Sequence, residues 1–110
     1  MTYTDYRLLF DKIKASTLRE APYDDENFFQ YLLLNQKRED RWFKKGQLEH
    51  PKLDAFRALN KKMHWVLISE PWCGDAAHVS PFIHKLVEEN KNIDLEIQLR
   101  DANSEIDQYL

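Results

Sequence analysis

The residues whose types suggest chemistry are concentrated in one short stretch, Glu70 to Ala76, which contains the only cysteine of the chain. Cys73 follows an apolar run that predicts a buried strand, and it precedes a run with helical periodicity. Unpaired N–H groups at the start of a helix favour a thiolate, so a cysteine at a strand-to-helix turn suits nucleophilic thiol chemistry. Such chemistry usually employs a second cysteine three residues later, and that position is Ala76. The sequence therefore predicts one candidate catalytic thiol without an internal partner.

The neighbours of Cys73 are candidate site residues. Trp72 is expected to form part of an apolar docking rim or, alternatively, to cover the end of the strand as a half-buried aromatic side chain. Glu70 is a candidate proton acceptor for the thiol, and a solvated loop carboxylate is the alternative. Gly74 and Asp75 would shape the substrate-binding side of the turn. A carboxylate beside the thiol disfavours a second negative charge, and Asp75 also suits the first turn of a helix without any chemistry.

The histidines nearest to Cys73 do not predict a metal site. His78 lies five residues after the cysteine and His84 six residues after His78, and these offsets do not place ligands on one helical face. Solvent-facing histidines are therefore expected. The sequence has no glycine-rich phosphate loop or nucleophile elbow, so no cofactor is expected. The basic residues of the middle region alternate with acids and the net charge is −3, which argues against nucleic-acid binding.

The first sixty residues have helical periodicity. Apolar residues at spacings of three and four predict a first helix at about 4–14 and a second at about 24–42, which Gly46 would terminate. The candidate N-caps are Thr4 or Asp5 for the first helix and Asp24 or Asp25 for the second. The charge-alternating tail at 36–45 predicts a solvated face. A third helix is predicted at 51–62.

The remaining residues alternate between strands and helices. A short apolar run at 64–69 predicts a central strand, and 76–90 has helical spacing. Residues 93–99 alternate apolar and polar side chains with a period of two, which predicts a strand with one polar face. A last helix is predicted at 101–110, with Asn103 or Ser104 as its cap. The order strand–helix–strand predicts two parallel strands joined by a right-handed crossover, and hence an α/β fold.

The tripeptide Trp72-Cys73-Gly74, with an apolar strand before it and Pro81 eight residues after the cysteine, resembles the active-site region of thioredoxins. The motif of that family is Trp-Cys-Gly-Pro-Cys. The variant Cys-Gly-Asp behind an all-helical segment further resembles a bacterial subgroup of thioredoxin-like proteins. The resemblance implies a helical N-terminal extension at 1–62 and a partial thioredoxin-like strand–helix–strand–helix unit at 63–110.

The sequence departs from the family pattern at three positions. Asp75 replaces the proline of the motif, Ala76 replaces the resolving cysteine, and Leu67 stands where the family has a buried acid. The family fold also continues with a cis-proline loop, two antiparallel strands and a last helix. We therefore expect a chain that is incomplete at its C-terminal end, or one completed by a second copy in a homo-oligomer.

Composition sets the broad class of the protein. With 43% hydrophobic residues the 110-residue chain can bury a core, and its two glycines offer few turns for an all-β fold. It lacks an apolar stretch near the ~18 residues of a membrane span, and its start is too polar for a signal peptide. A single cysteine fits a reducing compartment. A soluble, cytoplasmic protein without a membrane partner is expected.

These residues and the resemblance predict a thioredoxin-like protein that performs monothiol exchange or serves redox homeostasis through Cys73. It would be a thiol–disulfide oxidoreductase that lacks the resolving cysteine, with protein thiols or disulfides, or glutathione, as its partners. The alternative is a non-catalytic binding module that uses the helical extension and the Trp72 rim to hold a protein partner. A fragment without activity of its own is the third interpretation.

Overall fold

Helices precede both strands in the structure, a computed structural model that describes residues 1–101 and 105–109. The elements are α1 (Tyr3–Ala15), α2 (Glu26–Lys45), α3 (Leu53–Arg57), β1 (Met63–Ser69), α4 (Gly74–Glu88), β2 (Ile93–Leu99) and a 3₁₀ helix (Glu105–Tyr109). Residues 1–62, all of them described, contain helices and loops but no strand. The mixed helix and strand composition and the helical N-terminal segment agree with the predicted α/β class.

Side-chain caps set the ends of the two long helices. The N-cap of α1 is Thr2, so the predicted caps, Thr4 and Asp5, were wrong. Asp5 instead completes a capping box, in which the Thr2 hydroxyl accepts from the Asp5 N–H at 3.0 Å and the Asp5 carboxylate accepts from the Thr2 N–H at 3.4 Å. The prediction of Asp25 as the N-cap of α2 is confirmed, as is the end of that helix at Gly46.

The third helix is shorter than predicted, since only Leu53–Arg57 of 51–62 is helical. Its N-cap residue, Lys52, forms no side-chain cap hydrogen bond. The residues after it are held from outside instead, because the Asn90 amide donates to the backbone oxygens of Phe56 and Leu59 at 2.9 and 3.0 Å. Carbonyls engaged in this way are satisfied without a longer helix.

The C-terminal segment also differs from its prediction. Within 101–110 the described element is the 3₁₀ helix Glu105–Tyr109 rather than a longer α-helix. The predicted caps, Asn103 and Ser104, lie outside the described residues.

The sheet has the two predicted strands and the predicted direction, but β1 pairs with β2 alone in the described part of the chain, so its prediction as a central strand was wrong. β1 and β2 pair in parallel, from Met63 opposite Ile93 to Ser69 opposite Leu99, and α4 forms the crossover between them. On the other edge of β2, the N–H of Ile97 donates to the oxygen of Met1 at 2.8 Å, and the terminal ammonium group donates to the Ile97 oxygen at 2.9 Å. The start of the chain is thus fixed to the sheet.

The core joins the helices to the sheet. Its buried side chains come from α1, the loop after it, α2 and β2: Tyr3, Tyr6, Phe10, Tyr23, Leu32 and Ile97. α2 packs along α4, while α1 packs between α2 and β2. This arrangement brings α2 against the start of α4, where Cys73 lies. No helix in the described part of the chain is both long and apolar enough to cross a membrane.

Candidate functional site

Cys73 lies where β1 turns into α4. It is the N-cap residue of the helix, with an extended backbone (φ −82°, ψ 115°), and its side chain is a half-buried free thiol. The backbone N–H of Cys73 donates to the backbone oxygen of Glu70 at 2.9 Å, and the backbone oxygen of Cys73 accepts from the Ala77 N–H at 3.3 Å. The N–H groups of the first helical turn lack acceptors within the helix. The turn therefore places Cys73 at the N-terminal end of α4, and its side chain forms no cap hydrogen bond there.

Gly74 lets α2 approach this turn closely. A Cβ atom at position 74 would lie 3.0 Å from Nη1 of Arg38 and 3.9 Å from Oδ1 of Asn35. A larger residue would push the arginine away from the turn. Gly74 is thus a point of close contact between the turn and α2.

Asn35 and Arg38 hold the turn from α2, and the sequence analysis did not select either residue. The Asn35 side chain, only 1% exposed, donates through Nδ2 to the Pro71 oxygen at 2.9 Å. Its Oδ1 accepts from Nη1 of Arg38 at 3.0 Å. A signal was present, because Asn35 falls at the helical spacing of Phe28 and Leu32, on the face that α2 buries.

Trp72 covers the core beside the turn. Its half-buried ring packs edge-to-face on Phe28, with the ring centroids 5.8 Å apart, and its Nε1 donates to an Asp101 carboxylate oxygen at 3.3 Å. The side chain thus contacts the core on one side and remains partly open on the other. This geometry is compatible with either interpretation of Trp72, and its role in docking stays a prediction.

Glu70 is not a solvated loop carboxylate, so that alternative was wrong. The residue is 5% exposed, and its Oε1 accepts from the Asp101 N–H at 2.8 Å. Burial raises the pKa of the Glu70 carboxyl above its ordinary value. The hydrogen bond fixes the segment after β2 against the turn. A role of Glu70 as proton acceptor for Cys73 stays a prediction.

The residues just after Gly74 differ in exposure. Asp75 is exposed in the first turn of α4, where a carboxylate interacts favourably with the helix N-terminus. Ala76, at the position where a second thiol would stand, is half-buried, and Ala77 is buried. A methyl group therefore occupies the place from which an internal thiol would attack Cys73.

A cavity of about 460 Å³ adjoins the turn on the side of α1. Its lining includes apolar side chains of α1 and β2 and two residues of the turn: Leu9, Ile13, Leu99, Glu70 and Pro71. Tyr23 also lines it, and its buried hydroxyl lies beside the Trp72 backbone without a hydrogen bond of normal geometry. The lining also includes Lys12, Arg19 and Glu20, so the cavity next to the thiol turn combines apolar and charged side chains.

A second buried polar group lies behind α4. Glu39 is 1% exposed; its Oε2 accepts from the Tyr3 hydroxyl at 2.5 Å, and its Oε1 accepts from the Ser80 hydroxyl. Burial raises the pKa of the Glu39 carboxyl to about 7, although both hydrogen bonds oppose the rise. The prediction that 36–45 forms a solvated face was thus wrong at Glu39. A carboxylate ties α1, α2 and α4 together here.

The two histidines of α4 have different environments. His78 is exposed as predicted, and its Nδ1 accepts from Nε1 of Trp42 at 2.9 Å. His84 does not face solvent, because its ring stacks on Tyr3 with centroids 4.4 Å apart while Nε2 lies 3.0 Å from a Glu88 oxygen. The solvent-facing prediction was therefore wrong for His84. Among the described residues, no group of three or more His, Cys, Asp or Glu side chains is placed to hold a metal ion.

A family model described as thioredoxin matches residues 22–110, which includes the turn, both strands and all of α2. No curated protein and no solved structure matches the chain. Because the match covers well over half of the sequence, the chain belongs to the thioredoxin family.

Proposed function

We propose that this thioredoxin-family protein performs thiol–disulfide exchange through Cys73 alone. The observation that carries the proposal is the position of the half-buried thiol as N-cap residue of α4, directly after a strand. A thiolate, not a thiol, attacks disulfides, and the first-turn N–H groups favour that form. Family membership supports the same chemistry.

The exchange proceeds in two steps. Cys73 loses its proton to solvent, and its sulfur attacks one sulfur of a substrate disulfide. A bond forms between the two sulfurs, the substrate S–S bond breaks, and the released thiolate takes a proton from solvent. Cys73 is then oxidised to a mixed disulfide while the leaving sulfur is reduced.

The second step needs a thiol from outside the chain. Ala76 stands three residues after Cys73, and the chain has no other cysteine to expel the product. The thiolate of a low-molecular-mass thiol such as glutathione would attack the substrate-derived sulfur of the mixed disulfide. A disulfide forms between glutathione and the substrate sulfur, the bond to Cys73 breaks, and Cys73 leaves as a thiolate. A reducing compartment such as the cytoplasm would supply that thiol.

The test is the reaction of the whole chain with glutathione disulfide, followed by intact-mass measurement. We expect one glutathione on Cys73, added faster in the folded protein than in the urea-unfolded chain and removed by reduced glutathione. The Cys73→Ser variant is the control and should remain unmodified. A folded protein that reacts more slowly than the unfolded chain would refute the proposal, since the fold would then shield the thiol rather than activate it.

A binding module that retains the fold without chemistry is the second candidate function. It is favoured by large apolar side chains exposed on α1 and α2, with Leu8 58%, Tyr31 51% and Leu34 45% exposed. Together with the partly open Trp72 ring, these residues would hold a protein partner. In this case Cys73→Ser should bind that partner as well as the unmodified protein does, and Tyr31→Ser should not.

A further inference from the structure

We propose that Arg38 of α2 is a positioning residue of the thiol site, which stabilises the Cys73 thiolate and is itself held in place by Asn35. The inference deepens the proposed thiol exchange and rests on it. It assigns part of the site to the helical segment that precedes the strands. Neither residue lies in the Trp-Cys-Gly stretch.

Arg38 reaches the residue next to the thiol. Its Nη1 lies 3.0 Å from the position that a Cβ atom on Gly74 would occupy, so the guanidinium group packs closely against this residue. The Arg38 side chain is half-buried, and partial desolvation strengthens its electrostatic interactions. A cation beside a cysteine increases the fraction of thiolate.

The charge of Arg38 is not neutralised by a carboxylate within the described residues. Arg7, Arg19 and Arg57 each form an ion pair with an acidic side chain, whereas Arg38 donates only to the neutral amide of Asn35. A guanidinium group held by a neutral acceptor retains its full charge for another anion. Cys73 directly precedes the glycine that Nη1 approaches, and its thiolate would be such an anion.

Asn35 couples this cation to the turn. Its buried amide spans the two groups, accepting from Arg38 through Oδ1 and donating to the Pro71 oxygen through Nδ2. The guanidinium group and the backbone before Cys73 are therefore fixed by one side chain. Because Arg38 is already held in one position, it loses less conformational entropy when it pairs with the thiolate.

Other groups face the turn without supplying an uncommitted cation. The charged or titratable ones are Tyr6 from α1, Tyr23 in the loop after α1, Glu70 in the turn, Asp75 in α4, and Arg100 and Asp101 after β2. Arg100 lies 3.8 Å from a carboxylate oxygen of Asp101, and Glu70 and Asp75 are acids that oppose a thiolate. The thiolate therefore depends on Arg38 and the helix N-terminus.

The chemical consequence is limited to the first step. Cys73 releases its proton to solvent, and the resulting thiolate pairs with the Arg38 guanidinium group before it attacks a disulfide. The mixed disulfide is neutral, so this pairing ends when the S–S bond forms and returns when an external thiol releases Cys73. Arg38 thus raises the fraction of reactive sulfur at neutral pH without entering the covalent chemistry.

The test compares Arg38→Met, Arg38→Lys and the control Arg41→Met, which removes an exposed arginine of the same helix that lies over the Trp42 ring. The rate of alkylation by the neutral reagent iodoacetamide is measured from pH 5 to pH 10. We expect Arg38→Met to react about three- to tenfold more slowly than the unmodified protein at pH 7 and equally fast at high pH, as loss of a charge partner requires. Arg38→Lys should recover most of the rate, and Arg41→Met should match the unmodified protein.

Several results would overturn the assignment. The first is an unchanged pH profile in Arg38→Met, and the second is an equal slowing of alkylation in Arg41→Met. The third is a loss of rate at all pH values in Arg38→Met, which would indicate that Arg38 has a structural role alone. If circular dichroism shows that Arg38→Met does not fold, Arg38→Gln is compared with Arg38→Lys: a rate at pH 7 at least threefold lower in Arg38→Gln supports the assignment, and equal rates contradict it. A failure of the proposed thiol exchange would be recognised separately, in the unmodified protein. Its glutathione adduct would then form no faster in the folded protein than in the unfolded chain.

Discussion

Replacing Glu39 by glutamine should make the protein more stable at alkaline pH, although it alters a buried residue. The Glu39 carboxyl is surrounded by protein and accepts from the hydroxyls of Tyr3 and Ser80. Glutamine has nearly the same shape. Its oxygen can accept from one hydroxyl and its NH₂ group can donate to the other, so the network survives without the charge.

The sign of the effect follows from proton linkage. Burial raises the pKa of Glu39 from an ordinary value of 4.5 to about 7, so the folded protein binds this proton more tightly than the unfolded chain does. The contribution of Glu39 to stability is therefore full below about pH 4.5 and is lost as the pH rises through about 7. At about 1.4 kcal/mol for each pH unit between the two pKa values, the total loss is about 3 kcal/mol.

The assay is urea unfolding of the unmodified protein and Glu39→Gln at pH 5 and pH 8, followed by tryptophan fluorescence. Linkage with these pKa values places about 2–3 kcal/mol of the loss between the two pH values. The stability of Glu39→Gln relative to the unmodified protein should therefore rise by about this amount from pH 5 to pH 8. Comparing the two proteins removes the contributions of the other titrating groups.

The control is Glu49→Gln, which neutralises an exposed carboxylate in the loop after α2. Its stability relative to the unmodified protein should stay within about 0.5 kcal/mol at both pH values. A difference between Glu39→Gln and the unmodified protein that is the same at pH 5 and pH 8 would refute the reasoning. It would mean that the Glu39 carboxyl ionises alike in the folded and unfolded chains.

Two further substitutions test how α4 is held. Gly46→Ala should destabilise the protein by about 1–3 kcal/mol in urea unfolding. The new Cβ atom would lie 2.5 Å from the Trp42 backbone oxygen and 2.8 Å from the Phe82 ring. A variant as stable as the unmodified protein would contradict this packing. Asn90→Ala should remove the Nδ2 donor that the Phe56 and Leu59 oxygens share, and we expect faster amide exchange in α3 and a loss of about 1–3 kcal/mol, whereas unchanged exchange would show that this amide does not hold the segment.

The strands could be predicted closely from the sequence. Residues 93–99 alternate between apolar and polar side chains, and the structure gives the strand the same bounds, Ile93–Leu99, with Ile93 and Ile97 buried and Asp94 exposed. A period of two is typical of a strand that buries one face, because successive side chains point to opposite sides of the sheet. The third helix was overestimated because its apolar spacing continues to Leu59, a residue that the structure leaves 46% exposed. Periodicity alone does not show where backbone carbonyls find other donors.

The candidate site could be predicted only in part. The turn and its cysteine can be predicted from local sequence. Asn35 and Glu39, in contrast, are buried in hydrogen bonds with residues 36 and 41 positions further along the chain. Burying an amide or a carboxylate is unfavourable unless it is hydrogen-bonded, so polar residues within a charged run are ordinarily assigned to the surface. Their partners, Pro71 and Ser80, are not recognisable as such before the helices are placed.

The thiol turn and the helical segment also depend on one another energetically. Asn35 and Glu39 reach across the predicted boundary at 62/63 to bond with the turn and with α4, and the same core contains Leu32 of α2 and Ile97 of β2. Removing the first helices would leave the Pro71 and Ser80 groups without these partners and would expose the side chain of Ile97. Each unsatisfied buried group costs about 1–3 kcal/mol, and marginally stable domains tolerate few such losses. We therefore expect thiol reactivity at Cys73 to require the helical segment, because that segment supplies both the cation and the contacts that hold the turn.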